Sequence, residues 1–325
     1  MKLVIIEKED FLKGSLNNLE LINNSLILKK GYLSGIYESE EIENNKFKKI
    51  VASWNVNTTK DASVEIKVSF YKNDKWSMWF SYGKWSNNGL NEGSIVKQHD
   101  DLGKISIDTI NVKNGFSEVL KVKVIFKRKN SKLESPLLRR IILSSFKEFE
   151  NIDCKLTDID IEVPKISQML IPEIGKSICS PTSLTMLINN YKYLKDAYDV
   201  SQSCFDNGAG IYGNWSYNMA YASEIGFKSY VRFCENADIF IKYVSSGIPV
   251  AASIKTADND VLKGAPQSYP SGHLLVIRGF STNGNPQIIV NDPASKEVEN
   301  VKRYYDFSEF LKVWNKVIYV LELEK

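Results

Sequence analysis

The sequence predicts two domains, an all-β sandwich over residues 1–152 followed by an α+β domain over residues 153–325. Three observations predict this. A hydrophobic period of two dominates the first half, helical periodicity begins only beyond about residue 150, and a chain of 325 residues suits two domains.

In "SVEIKVSFY" (63–71), Val64, Ile66, Val68 and Phe70 share one face, with Glu65, Lys67 and Ser69 on the other. Asn73-Asp74 then signals a turn ahead of "KWSMWFSYGKW", and "LKVKVIF" (120–126) and "LLRRIILSSF" (137–146) are further strands. Turn signals recur at short intervals, as an all-β sandwich requires. The pattern changes across "FKEFENIDCKLTDID" (146–160), which places the boundary near 150–156. Beyond it, "SPTSLTMLINNYKYL" carries Leu184, Leu187, Ile188, Tyr191 and Leu194 at helical spacing. "NADIFIKYVSSG" reads as a helix stopped by Gly247 and Pro249. "IPVAASI", "HLLVIRGF" and "PQIIVND" read as short strands.

Composition excludes several function classes. Lys+Arg 42 against Asp+Glu 39 leaves a net charge of +3 with no dense basic block, so no nucleic-acid partner is expected. In "KVKVIFKRKN" the lysines alternate with Val122, Val124 and Phe126, the pattern of a strand with a solvated cationic face. No apolar run approaches the ~20 residues of a membrane span. The apolar core before Glu7 is too short for a signal peptide, so the chain as given reads as cytoplasmic; one trimmed of its signal would read the same and be extracellular.

Other weak signals are discounted. "GAGIYG" (208–213) fits GxGxxG but follows no strand, so Gly213-Asn214-Trp215 is read as a loop and helix start beside the active-site cleft. Asp258 and Asp260 resemble half a calcium loop with its Gly and Glu misplaced, and a solvated loop is expected there. Trp54, Trp76, Trp79 and Trp85 could line a sheet face as a platform for sugar rings, although alternate aromatics are more often core.

The chemistry centres on "GKSICSPTSLTMLINNY" (175–191). Cys154, Cys179, Cys204 and Cys234 form no CxxC and have no histidine at ligand spacing, so neither a zinc nor a redox site is indicated. Pro181 suits a first helical turn, and Ser177 and Ser180 offer caps. Cys179 would then sit at a helix N-terminus, where the dipole and free amides stabilise a thiolate. The alternative is a small buried hydrophobe.

Of the two histidines, His99 falls in a polar loop and reads as a surface residue, whereas His273 opens an apolar strand. Asn283-Gly284 signals a two-residue hairpin turn. With Thr282 facing Asn285, Asp292 faces Leu275, two residues from His273 on the same face and ~7–8 Å away at Cα. A one-residue slip would move Asp292 to the other face. Cys179, His273 and Asp292 thus form a candidate nucleophile, base and orienting acid. Gln168, 11 positions before Cys179, offers an amide that could complete an oxyanion hole with the Cys179 N–H.

Taken in order, "PKISQ", "CSPTSLTMLINNY", "YGNWSYNMAYASEIGF", "GIPVAASI", "SGHLLVIRGF" and "VNDPAS" resemble the C-thirty-nine-like cysteine peptidases, papain-fold relatives of the double-glycine, bacteriocin-processing peptidases. The resemblance covers roughly residues 160 to 325. It implies a papain-like fold with Cys179 as nucleophile, His273 as general base, Asp292 as its orienter and Gln168 in the oxyanion hole. Ser180 stands where a glycine is usual after the cysteine. "GIYESEEI", "VASWNVNT", "KWSMWFSYGKWS" and "ESPLLRRIILSSF" are similar to the β-sandwich region that precedes such domains in some bacterial proteins, which implies an accessory role.

The expected activity is thiol-dependent hydrolysis of a peptide or amide, or acyl transfer on the same machinery, with no metal or organic cofactor required. The alternative is a non-catalytic binding protein whose β-sandwich recognises a glycan, a cell-wall ligand or a protein.

Overall fold

The computed structural model describes residues 3–59, 61–87, 92–257 and 262–324. The chain forms two compact units, and no single cut separates them. The first comprises Met1–Lys147, Phe205–Val231 and Glu324–Lys325; the second comprises Glu148–Cys204 and Arg232–Leu323.

In the first unit, residues 3–146 form strands and one 3₁₀ turn among the described residues. They build two seven-stranded antiparallel sheets. One runs Gly103–Ser106, Thr109–Val112, Lys49–Asn57, Leu137–Phe146, Ser25–Leu28, Leu19–Ile22, with Leu3–Glu7 also on Leu137–Phe146. The other has Ala62–Lys72 and Ser117–Arg128 at its centre, paired from Val119↔Tyr71 to Arg128↔Ala62. The period-two reading holds here: Val64, Ile66, Val68 and Phe70 are buried, as are Val122, Val124 and Phe126 on the neighbouring strand. Asn73 and Asp74 both take positive φ, as the tight turn between Lys72 and Lys75 requires. The two sheets meet through an aromatic pair, Trp54 edge-on against Tyr82.

The strand Lys49–Asn57 is buried on both faces, because the helix Trp215–Glu224 covers its other side. Tyr217 on that helix packs edge-on against Trp54 and Trp85. These two tryptophans are core residues and take no part in a surface platform. Trp76 and Trp79 remain half-buried, with the ammoniums of Lys121 and Lys123 over their rings. Those lysines also pair with Glu41 and Glu38.

The segment carrying "GAGIYG" is tied down by a carboxylate. Fully buried Asp206 accepts through Oδ1 from the amides of Ser94, Gly208 and Ala209, and through Oδ2 from Asn214 Nδ2. Gly208 is there for close approach, since a Cβ on it would lie 1.8 Å from the Ser94 carbonyl oxygen. Asn214 caps the helix that follows, accepting from the Tyr217 amide, so the loop and helix start are found, but as part of the first unit, whereas Cys179 and His273 belong to the second. Asp206→Ala should cost about 3 kcal/mol, because it strands several buried donors; a lowered urea midpoint with unchanged slope would report it.

The second unit holds an antiparallel sheet in the order Trp314–Leu323, Val250–Ile254, His273–Ser281, Gln287–Asn291, Lys302–Asp306, with Ile159–Asp160 on His273–Ser281. The helix Cys179–Asn190 packs on its central strands and is buried from Ser180 to Ile188. That helix stops earlier than the apolar spacing implies. Leu194 lies outside it and is 86% exposed, because Lys192 and Leu194 take positive φ and end the helical path. His99 is exposed as expected. Asp258 and Asp260 lie outside the described residues.

Candidate active site

Cys179 is the first residue of its helix, following Ile178 at the cap position. Neither Ser177 nor Ser180 caps it with a side chain; Ser180 Oγ instead pairs with the Tyr319 hydroxyl at 2.7 Å. The Ser180 and Leu274 amides both donate to the Cys179 sulfur.

His273 opens its strand opposite Ile254 and is 4% exposed. Its Nε2 lies 2.8 Å from Asp292 Oδ1, and the ring also hydrogen-bonds the Cys179 thiol, which leaves Nδ1 for that contact. The register that unites His273 with Asp292 arises differently from the sequence expectation. Ser281 pairs with Gln287, so residues 282–286 form the connection in place of a two-residue turn. Asp158 accounts for this: its carboxylate accepts from the Thr282 amide and hydroxyl and takes Thr282 out of the ladder. Near the connection the register is therefore slipped by one. An irregularity between Ile277 and Gly279 reverses the slip, giving Val276↔Asn291, which returns Asp292 to the face of His273. Arg278, at this bulge, is held by Asp160 and Asn291.

Asp292 is fully buried, and both its oxygens are engaged. Oδ1 also accepts from the Ala294 amide at 3.0 Å, while Oδ2 accepts the hydroxyls of Tyr269 at 2.9 Å and Tyr305 at 3.0 Å. Tyr269 is further stacked on the His273 ring, with centroids 4.0 Å apart and planes within 4°. Neither tyrosine emerged from the sequence: Tyr305 is brought in from a separate strand, and Tyr269, only four residues before His273, reaches Asp292 through the fold of the connection.

Gln168 is 3% exposed and sits on the Asp292 turn through its amide, which donates to the Pro293 carbonyl at 2.9 Å. Its Nε2 donates to the Gly175 carbonyl at 2.6 Å, and its Oε1 is buried without a hydrogen-bond partner. The reverse amide orientation would set two acceptors against each other. One Nε2 hydrogen remains for another acceptor. Gly175 permits this approach, since a Cβ would lie 2.4 Å from the Gln168 carbonyl oxygen.

The electrostatics separate Cys179 from the other cysteines. Burial pushes its thiol up, but the His273 hydrogen bond and charge, with the Leu274 and Ser180 amides, outweigh this and hold it below the ordinary thiol range. Burial raises Cys204 and Cys234, and burial with Asp238 raises Cys154 to about 11. Burial works against the His273 imidazolium, yet the Asp292 charge and hydrogen bond raise it to about 10. Burial likewise opposes the Asp292 carboxylate, and His273, Ala294 and Tyr269 hold it below its usual range.

The helix-borne thiol, the strand-borne imidazole and the turn carboxylate, on this mixed helix-and-sheet unit, define a cysteine-peptidase-like domain of papain-like fold. Residues 160–321 belong to the Peptidase_C39 like family, whose sequence model they match, and residues 20–144 match a Peptidase C39 N-terminal domain. Among solved structures, it is similar to a Bacillus anthracis protein assigned as a C39-like peptidase: 17% identity over 52% of this chain and 100% of that one, TM-score 0.39. It is also similar to the peptidase domain of Streptococcus ComA, a bifunctional ABC transporter involved in quorum sensing (16% identity, 50% and 99% covered, TM-score 0.37). A xylan-binding module from Roseburia intestinalis shares 12% identity over 45% of this chain and 97% of its own, with a TM-score of 0.25. No curated protein matches the sequence. Among the described residues, no helix is long and apolar enough to cross a membrane.

Proposed function

We propose that the protein is a cysteine peptidase or amidase in which Cys179, His273 and Asp292 act as a triad and Gln168 serves the oxyanion. The observation that carries this reading is the Cys179–His273–Asp292 hydrogen-bond chain, joined to a thiol held below its ordinary range while the other three cysteines are raised.

The Cys179 thiolate attacks the substrate carbonyl carbon, forming a C–S bond as the carbonyl electron pair moves onto oxygen. The remaining Gln168 Nε2 hydrogen and the Cys179 amide donate to that oxyanion. His273, carrying the former thiol proton, delivers it to the leaving nitrogen as the C–N bond breaks, leaving a thioester. Water, losing a proton to His273, then attacks the thioester. Collapse breaks the C–S bond, releases the carboxylic acid and restores the thiolate. An amine in place of that water would give acyl transfer.

Incubating the protein with a peptide library tests the reading. The expected result is a thioester on Cys179 detectable by mass spectrometry, with product formation lost in Cys179→Ala. A library untouched by the wild-type chain, with Cys179 unacylated, would refute it. Gln168→Ala should lower turnover about 10²–10³-fold while leaving Cys179 alkylation largely intact, since the amide acts only on the developing oxyanion.

A second reading concerns the β-sandwich. Trp76 and Trp79 lie half-buried on a sheet face among Lys–Glu pairs, a combination that suits stacking of sugar rings and bonding of their hydroxyls. Because residues 205–231 complete the first unit, the test uses the full chain. Cys179→Ala protein should be retarded in gels containing soluble polysaccharide, and Trp76→Ala with Trp79→Ala should abolish the retardation. Equal mobility with and without polysaccharide would sink this reading.

A further inference from the structure

Asp292 has more partners than orienting a histidine demands. A carboxylate offers about four acceptor positions, and here four donors occupy them: His273 Nε2 and the Ala294 amide on Oδ1, and two tyrosine hydroxyls on Oδ2. With Asp292 at 0% exposure, water has no access to replace any of them. A carboxylate this deep persists as an anion only while its oxygens are satisfied.

The two tyrosines arrive independently. Tyr305 comes from the edge strand Lys302–Asp306. Tyr269 comes from the connection ahead of His273, where its amide donates to Thr256 Oγ1 at 2.6 Å and its carbonyl accepts from the Thr256 amide at 3.3 Å. Both deliver a hydroxyl to the same oxygen, the one turned away from His273. Tyr269 adds its ring, flat against the imidazole. That contact fixes the ring plane, so Nε2 stays on Asp292 while Nδ1 stays on the thiol, and it shields one face of the pair from water.

We propose that Tyr269 and Tyr305 are positioning residues of this site: their hydroxyls hold Asp292 as an oriented carboxylate, and the Tyr269 ring holds the imidazole in the plane that joins Asp292 to Cys179. The proposal rests on the cysteine–histidine reading above and adds to it what keeps the pair poised. With one hydroxyl removed, Oδ2 has an empty acceptor position in a dry site. The carboxylate then takes up a proton more readily, and its hold on His273 is lost at a higher pH. The charged and titratable groups around it are His273 on the adjoining strand, Cys179 on the helix, and Arg303, which neighbours both tyrosines and bonds Ser295 Oγ and the Gly264 carbonyl.

Iodoacetamide labelling of Cys179, followed by peptide mass spectrometry from pH 4 to 10, tests this in the full chain. The wild type should label quickly below the ordinary thiol range, and His273→Ala should remove that advantage. Tyr305→Phe and Tyr269→Phe should each slow labelling at mildly acidic pH about tenfold, the low end for one hydrogen bond to a charged group, and move the acid limb to higher pH. Tyr269→Leu, losing ring and hydroxyl together, should be slower than Tyr269→Phe. Because the chain has only two histidines, imidazole resonances in NMR titrations give a second readout. The acid-side inflection of the His273 signal, where Asp292 protonates, should move to higher pH in Tyr305→Phe. Folded Phe variants that label and titrate like the wild type would overturn the proposal. Slow wild-type labelling insensitive to His273→Ala would instead overturn the cysteine–histidine reading, and this proposal with it.

Discussion

His273→Ala is expected to lower peptide hydrolysis by about 10³-fold or more, with the protein still folded. Two roles disappear together. In the proposed mechanism the imidazole accepts the thiol proton and later delivers it to the leaving nitrogen, and general acid–base assistance of this kind is worth roughly 10²–10⁴-fold. It also supplies the positive partner that holds the thiolate in a buried setting. Without it, the burial that pushes the Cys179 thiol up goes largely unopposed, leaving only the Leu274 and Ser180 amides. Labelling at neutral pH should therefore slow as turnover falls. Steady-state kinetics and labelling of the same preparation check both effects. Turnover within a factor of ten of the wild type would rule out His273 as the base.

Asp292→Asn is expected to cost about 10³-fold in kcat/KM and to displace the pH profile, a signature a packing defect would not produce. The sign follows from the charges. In the wild type Asp292 raises His273 to about 10, so the imidazolium persists below that pH and is lost as pH rises through it. Cys179 is lowered, so its thiolate is lost as pH falls through that lowered value. Activity should occupy the window between, with an alkaline limb near pH 10. Asparagine carries no charge, and burial lowers His273. The alkaline limb should then fall below the ordinary histidine range of ~6.5, and the thiolate fraction at neutral pH should fall with it. A profile of unchanged shape and reduced height would mean that Asp292 serves only to pack the turn.

Much of this site was legible in the chain because its chemistry is local. Pro181 and the apolar run after Cys179 specify a helix start, and a lone histidine opening an apolar strand is conspicuous when the chain has only two. The strand Ser117–Arg128 contains the expected "LKVKVIF" because the alternation of buried and less buried positions there is an intrinsic property of a pleated strand. The hairpin after His273 was legible only in outcome. Asn283-Gly284 favours a tight turn by local preference, but Asp158, more than a hundred residues away in sequence, captures Thr282 and opens the connection. The bulge between Ile277 and Gly279 then restores the pairing. Two departures cancel, and neither leaves a local signal.

The same division accounts for the tryptophans and for the capping serines. Trp54 and Trp76 sit in equally alternating sequence, yet Trp54 lies beneath a helix contributed by residues 215–224 and Trp76 lies half-buried, with the Lys121 ammonium over its ring. Ser180 has the side chain of a helix cap, but the Tyr319 hydroxyl, from a strand near the end of the chain, engages it first.

What the sequence by itself determined are the properties carried by neighbours along the chain: strand and helix periods, the helix that presents Cys179, and the residue types able to act as nucleophile, base, acid and amide donor. What only the tertiary structure decided are the properties that need partners from distant segments: the register uniting His273 with Asp292, the orientation of Gln168 against Gly175, the two tyrosines on Asp292, and the selective lowering of one cysteine among four. The physical reason is range. Backbone preference and hydrophobic period act over a few residues, whereas hydrogen-bond satisfaction and the desolvation of buried charge depend on whatever the fold brings within a few ångströms.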